Sequence, residues 1–541
     1  MNNSPKRNRN DIPNPTYFEK PMTKNILHPI LSTLLTLTTI GGTLWADVKP
    51  NAIFSDGAVL QRSVAIPVWG TAEPGEKIQV SLDGQTASTT ADSEGNWKIQ
   101  LPAREAGGPF ELKISGNNTL NISDVLIGEV WICSGQSNME WPLGKAANAA
   151  SEIPAADYPN LRGFLVPRNA SDEPEQNTAG KWVACSPAKA GGFSAVGYFF
   201  GRDLSKELGV PVGLIMSSVG GSPAEAWTRR GALEEQMPEV VLEQKRAVAD
   251  YPAALAKYQT DEPRLLQDWT AACEQAKAAG EPEPRKPAPP QDPQTNVRRP
   301  SGLFNAMIHP LIPYAIRGVI WYQGEGNNDR AQAYQKLFPL LISDWRAQWR
   351  QADFPFLFVQ IAPYKDMKPE IREAQLLSWK STPNTAMVVT TDVGDANDIH
   401  PTRKEPVGQR LALAARALAY GEKIEYSGPV FESVRFDGPR ALVTFSHVGG
   451  GLVAKDGELK GFTIASADGK FAPGTALIEG STVVVTADGV TKPAALRYGW
   501  ANVPDVNLFN EAGLPASPFR SDAPGRAKFD NGGRAARDFE R

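Results

Sequence analysis

Very little in this sequence suits disulfide or metal chemistry. Three cysteines, Cys133, Cys185 and Cys273, are scattered through 541 residues. An odd number at wide spacing does not read as a disulfide framework. Histidine is scarce as well, with four in the whole chain. No His/Cys cluster has ligand spacing, which argues against a metal enzyme, and no cofactor is implied. Positive charge is not in excess either. The formal net charge is −4 and the sequence pI about 5.8, so nothing offers a basic footprint for nucleic acid.

What is present is a globular composition rich in Gly (48), Pro (45) and Trp (13), in a chain too long for one ordinary domain. The N-terminus has the order of a secretory signal. Lys6, Arg7 and Arg9 lie in a polar leader, Met22-Thr23-Lys24 offers a second start, and Ile26 to Trp45 is mostly apolar. Ala46 then precedes the charged Asp47. The apolar stretch is too polar and Gly-rich for a stable span, so the expectation is export with cleavage near Ala46 and no membrane association afterwards. A membrane anchor is the competing reading.

Residues 47–124 show short alternating strands, such as Ile78-Val80-Leu82 and Trp97-Ile99-Leu101, broken by turns such as Glu73-Pro74-Gly75. That is a small β-sandwich signature. From 125 to 424 strands alternate with helical stretches, which argues for a parallel sheet with helices on both faces. Strand candidates are 130–133, 213–217, 318–322, 356–361 and 386–391. A charged, Ala-rich, helix-prone segment over 229–299 ends in a Pro-rich run and reads as an insertion into that domain. A second β region spans 425–521, and the tail 522–541 is polar.

Four turns at predicted strand ends carry the chemistry. In open α/β sheets such ends are where ligands bind. Gly135-Gln136-Ser137-Asn138-Met139 follows the apolar run Val130-Trp131-Ile132-Cys133 and presents a candidate nucleophile. Gly220-Gly221-Ser222-Pro223-Ala224-Glu225 has capping-box spacing between Ser222 and Glu225, and its glycines leave N–H groups to hold an oxyanion. Trp321-Tyr322-Gln323-Gly324-Glu325 offers a side-chain amide for the same purpose. Asp398-Ile399-His400-Pro401-Thr402 places a histidine beside a carboxylate, just before a helix that a Thr402/Glu405 capping box would start. His309 and His447 lie in less suggestive surroundings. Trp141, Trp227 and Trp321 flank these turns, either stacking on a sugar ring or filling the core.

Taken in order, these four motifs resemble those of the SGNH hydrolases, and more narrowly the bacterial sialate O-acetylesterase-like carbohydrate esterases. Flanking runs such as Ile127-Gly128-Glu129-Val130-Trp131, Arg372-Glu373-Ala374-Gln375 and Asn507-Leu508-Phe509-Asn510 extend the resemblance to roughly residues 48–521. It implies an SGNH-type, flavodoxin-like α/β sheet flanked by N- and C-terminal β-sandwich-like regions. It implies Ser137 as nucleophile, His400 as base and Asp398 as the third triad member. The oxyanion hole falls on Ser137, Gly220 or Gly221, and Gln323, with Asn138, Glu325, Trp227 and Arg372 as expected substrate contacts. Val219-Gly220-Gly221-Ser222 and Gly324-Glu325-Gly326-Asn327 depart from the frequent Trp-Gly-Gly-Thr and Gly-Glu-Ser-Asn without removing a triad residue. The implied partner is an acetylated carbohydrate, on sialic acid or on a plant-type oligosaccharide, and the implied pH profile rises through a pKa near 7. A lipase and a non-catalytic sugar-binding protein are the alternatives.

Overall fold

The computed structural model describes residues 47–522. The expected signal peptide and most of the polar tail lie outside them. Among the described residues no helix is long and apolar enough to cross a membrane.

The hydrolase sheet is built on β1 (Thr119–Gly135), β2 (Tyr158–Leu165), β3 (Trp182–Cys185), β4 (Val212–Ser218), β5 (Gly318–Tyr322), β6 (Phe356–Val359) and β7 (Thr385–Val388). Their order is β3-β2-β4-β1-β5-β6-β7. All neighbours are parallel except the β3–β2 edge. The central strands β4-β1-β5-β6-β7 follow the flavodoxin-like order 2-1-3-4-5, with β2 and β3 added at one edge. These strands read as continuous apolar runs because helices cover both faces. On one face α2 (Ala195–Leu208) and α6 (Glu405–Tyr420) bury Tyr198, Phe199, Leu411 and Ala415. On the other, α4 (Ala331–Trp349) and α5 (Pro369–Ser381) close over Trp321, whose ring meets Phe338, Trp345 and Trp227 at 5.9–6.1 Å.

The N-terminal region packs a three-stranded antiparallel sheet against a mostly antiparallel extension of the hydrolase sheet, with alternating burial. Ile78, Val80 and Leu82 face inward, as do Trp97, Ile99 and Leu101. No linker separates it from the hydrolase sheet. Strand β1 is 17 residues long: its first half pairs with Gly107–Ser115 and its second half with β4 and β5. The predicted border at 124/125 therefore falls inside one strand. The C-terminal region has two four-stranded antiparallel sheets with an aromatic core in which Phe431 stacks on Phe519 at 4.2 Å. The insertion contains α3 (Pro238–Ala279), a 42-residue helix with Val241 alone fully buried. Its Pro-rich sequel returns along it, accepting hydrogen bonds from Trp269 Nε1 at Pro284 O and from Gln244 Nε2 at Pro293 O.

Neither predicted capping box forms. Ser222 Oγ donates to Val219 O and accepts from the Trp227 indole, and only a 3-10 turn over Ala224–Trp227 follows. Helix α6 starts at Glu405 with Lys404 as its N-cap. Glu405 turns instead to Arg202 and Asn148. At Ser222 neighbouring residues take the hydroxyl, and at Glu405 tertiary partners take the carboxylate.

Candidate active site

After β1 the chain builds β2, β3 and β4 on one side of it and then crosses to β5 on the other, so a crevice opens beyond the carboxyl ends of β4, β1 and β5. Three of the four turns therefore end adjacent strands: Ser137 follows β1, Gly220 follows β4 and Gln323 follows β5. Gly135 makes the first turn possible. Its φ is +130°, and a Cβ there would lie 2.2 Å from Tyr322 O on the neighbouring strand, so no other residue fits.

Ser137 opens α1 (Ser137–Glu140), a single helical turn. The loop before α6 brings His400 to it across 263 residues of sequence, and His400 Nε2 lies 2.9 Å from Ser137 Oγ. Both residues are half-buried. The carboxylate contact is looser. Asp398 Oδ1 accepts the His400 backbone N–H at 2.8 Å and stands 3.6 Å from His400 Nδ1, beyond hydrogen-bond length. Asp395 shapes the loop, accepting from the N–H groups of Asn397 and Asp398. Trp141 stacks on the imidazole at 5.3 Å and 17° between planes.

Burial holds His400 below the ordinary imidazole pKa; Asp398 opposes this, and Lys404 and Lys145 add to it. The expected value near 7 is thereby corrected downward. The ring is neutral, and competent to take the serine proton, to a lower pH than an exposed histidine.

Several expected roles change. Gln323 is fully buried and its amide points inward, donating to Asn327 Oδ1 at 2.7 Å and Ser222 O at 3.3 Å, while Tyr334 OH donates to its Oε1. Both amide hydrogens are engaged, which leaves none for an oxyanion. The Gly220 N–H donates to Glu140 Oε2 at 2.8 Å, and Glu140 is in turn paired with Arg168. The N–H of Ser137, first in its helical turn, has no intrahelical acceptor. No hydrogen bond among the described residues engages the Gly221 N–H.

The expected substrate contacts belong mainly to the framework. Trp227 and Arg372 are wholly buried. Trp227 lies edge-on to Trp321. Arg372 donates to Ala501 O and Asn502 O of the C-terminal region, and burial pulls its guanidinium down to about 10. Asn138, 1 % exposed, donates to Glu325 Oε1 at 2.6 Å and to Ile399 O at 3.0 Å, so it ties the nucleophile turn to the residue before His400. Gln375, in a run flagged only by resemblance, fastens β6 and the Gln323 turn through Val359 O, Ile361 N and Gln323 O.

Sequence reasoning missed Glu140 and Lys404. Lys404 is buried and bonds Asn138 Oδ1. One signal was available, since a lysine capping a helix N-terminus opposes the helix dipole and calls for another reason to be there.

The carbohydrate esterase family described as sialic acid-specific acetylesterase matches residues 127–262 and 297–417, leaving out the C-terminal part of α3 and its Pro-rich sequel. Human sialate O-acetylesterase is 32% identical over 539 residues, covering 88% of this chain and 94% of that protein. The chain belongs to the sialate O-acetylesterase family. The rat sialate O-acetylesterase is 33% identical over 428 residues, covering 70% of this chain and 75% of its own. A solved carbohydrate acetylesterase from Xanthomonas citri is 39% identical, with a TM-score of 0.75, covering 88% of this chain and 99% of its own. This esterase is accordingly a carboxylic ester hydrolase with an SGNH-type α/β fold.

Proposed function

We propose that this chain is an exported serine esterase that removes O-acetyl groups from sugars, with Ser137 as nucleophile, His400 as general base and Asp398 as the residue that orients the imidazole. The observation that carries the reading is the 2.9 Å contact between Ser137 Oγ and His400 Nε2 at the carboxyl end of the sheet. The N-terminal charged, apolar and small-residue order supports export. Acetylated sialic acids and acetylated plant-type oligosaccharides are the two substrate classes, supported by the family description and by the Xanthomonas citri carbohydrate acetylesterase.

In this mechanism neutral His400 takes the Ser137 proton as Oγ attacks the acetyl carbonyl carbon. The carbonyl oxygen becomes an oxyanion, held by the N–H groups of Ser137 and Gly221. Collapse breaks the bond to the sugar oxygen, which leaves as a hydroxyl with the proton from His400. Water then attacks the acetyl-serine with His400 again as base, releasing acetate. The test is acetate release from a panel of acetylated sialosides and acetylated xylo-oligosaccharides by wild type and Ser137→Ala. Release by wild type and its loss in a folded Ser137→Ala support the reading. Activity in that variant overturns it.

A further inference from the structure

Beside the Ser137–His400 pair sit two buried titratable side chains that the mechanism above does not use. Lys404 is 1 % exposed and Glu325 8 %. Between them lies the Asn138 carboxamide, with Oδ1 on the Lys404 ammonium and Nδ2 on Glu325 Oε1. The ammonium only donates and Glu325 Oε1 accepts, so the two partners fix which way the amide faces, and with it the second donation, to Ile399 O at 3.0 Å. That bond is the clamp between the serine turn and the histidine loop. Lys404 Nζ also lies 5.3 Å from the Tyr322 ring centroid and 5.8 Å from that of Trp141, the indole stacked on His400. The remaining charges acting on Lys404 and His400 are Asp398 and Lys145.

We propose that Lys404 is a positioning residue: it locks the Asn138 clamp that holds Ser137 against His400, and its charge keeps the imidazole in the proton-accepting form. The proposal rests on the reading of His400 as base. A cation near an imidazole penalises the imidazolium, the more so as water is withdrawn; here Lys404 is buried and His400 half-buried. The timing of the two titrations is right. Burial drives the Lys404 ammonium down to about 7, against Glu325 and Asp398. It is therefore charged in the acidic range where His400, itself held below 6.5, would take a proton.

The test uses the full chain, a small aryl acetate and the pH dependence of kcat and kcat/KM for wild type, Lys404→Gln and Lys404→Met. Lys404→Gln removes the charge and keeps a donor for Asn138. It should raise the acid limb by about half a pH unit or more. Lys404→Met removes both and should also lower kcat by about tenfold or more with little change in KM. Folded variants with an unmoved or lowered acid limb overturn the proposal. If either variant does not fold, the wild-type imidazole resonance of His400, one of four in the chain, decides. It should show its own step below pH 6.5 and a smaller one near 7 as Lys404 discharges, and a single step overturns the proposal. Retained activity in His400→Ala, by contrast, refutes the base assignment itself.

Discussion

Replacing Gln323 by Leu separates the two roles this residue has been given. As an oxyanion donor, its loss would lower kcat by about 10²–10³ and leave stability almost untouched. The structure points to the opposite outcome. The substitution removes three buried hydrogen bonds, at 2.7, 3.3 and 3.1 Å, to Asn327, Ser222 and Tyr334. Asn327 Oδ1 keeps the Ala224 N–H, and Tyr334 OH keeps a long contact to Gln323 O. Ser222 O and Tyr334 OH bear most of the loss. At about 1–3 kcal/mol for each of these two buried groups, the cost is about 2–6 kcal/mol of stability. Urea midpoints and kcat on an aryl acetate, measured well below the transition, provide the assay. The expectation is a clearly lower midpoint with kcat reduced less than about tenfold. A hundredfold fall in kcat at an unchanged midpoint would refute the argument and restore Gln323 to the oxyanion hole.

Other outcomes follow from the same geometry. His400→Ala should lower kcat by about 10³ or more, since triad members act as a unit, whereas Asp398→Asn should cost about tenfold or less, because its carboxylate is exposed and 3.6 Å from Nδ1. Activity should hold as pH falls through 6.5 and decline only below it, because burial lowers the His400 pKa; a midpoint above 7 in the kcat/KM profile would contradict this. The sign for stability is the same: the unfolded chain takes up the His400 proton at a higher pH than the folded one, so this site's destabilising contribution grows as pH drops from 6.5 and is complete below the folded pKa. Arg372→Ala should lower stability by about 3 kcal/mol or more, because it orphans Ala501 O and Asn502 O, with KM for an acetylated sugar unchanged, and a KM effect in a stable variant would return Arg372 to the substrate.

The parallel sheet was legible because its strands are continuous apolar runs, and the site because each motif turn closes one of them. Ser137 and His400 could be paired from sequence since few histidines compete and one alone has a neighbouring carboxylate after a strand. Tertiary bonding was less visible. Gln323, Asn138 and Arg372 carry polar groups that suit a substrate equally well in sequence. Whether such a group faces the crevice or the framework depends on partners like Ser222, Glu325 and Ala501, which the fold brings from distant segments. The second capping box failed for the same reason, since Glu405 found Arg202, whereas Ser222 was taken locally by Val219 and Trp227. The border between the first two regions was hidden because β1 belongs to both.

The most direct test of the central claim is mass spectrometry of the enzyme quenched during turnover of an acetylated sugar. An acetyl adduct is expected on the peptide containing Ser137, formed by wild type and absent in Ser137→Ala, with acetate released in step with its decay. Acetate release by a folded Ser137→Ala, or an adduct on another residue, would contradict it.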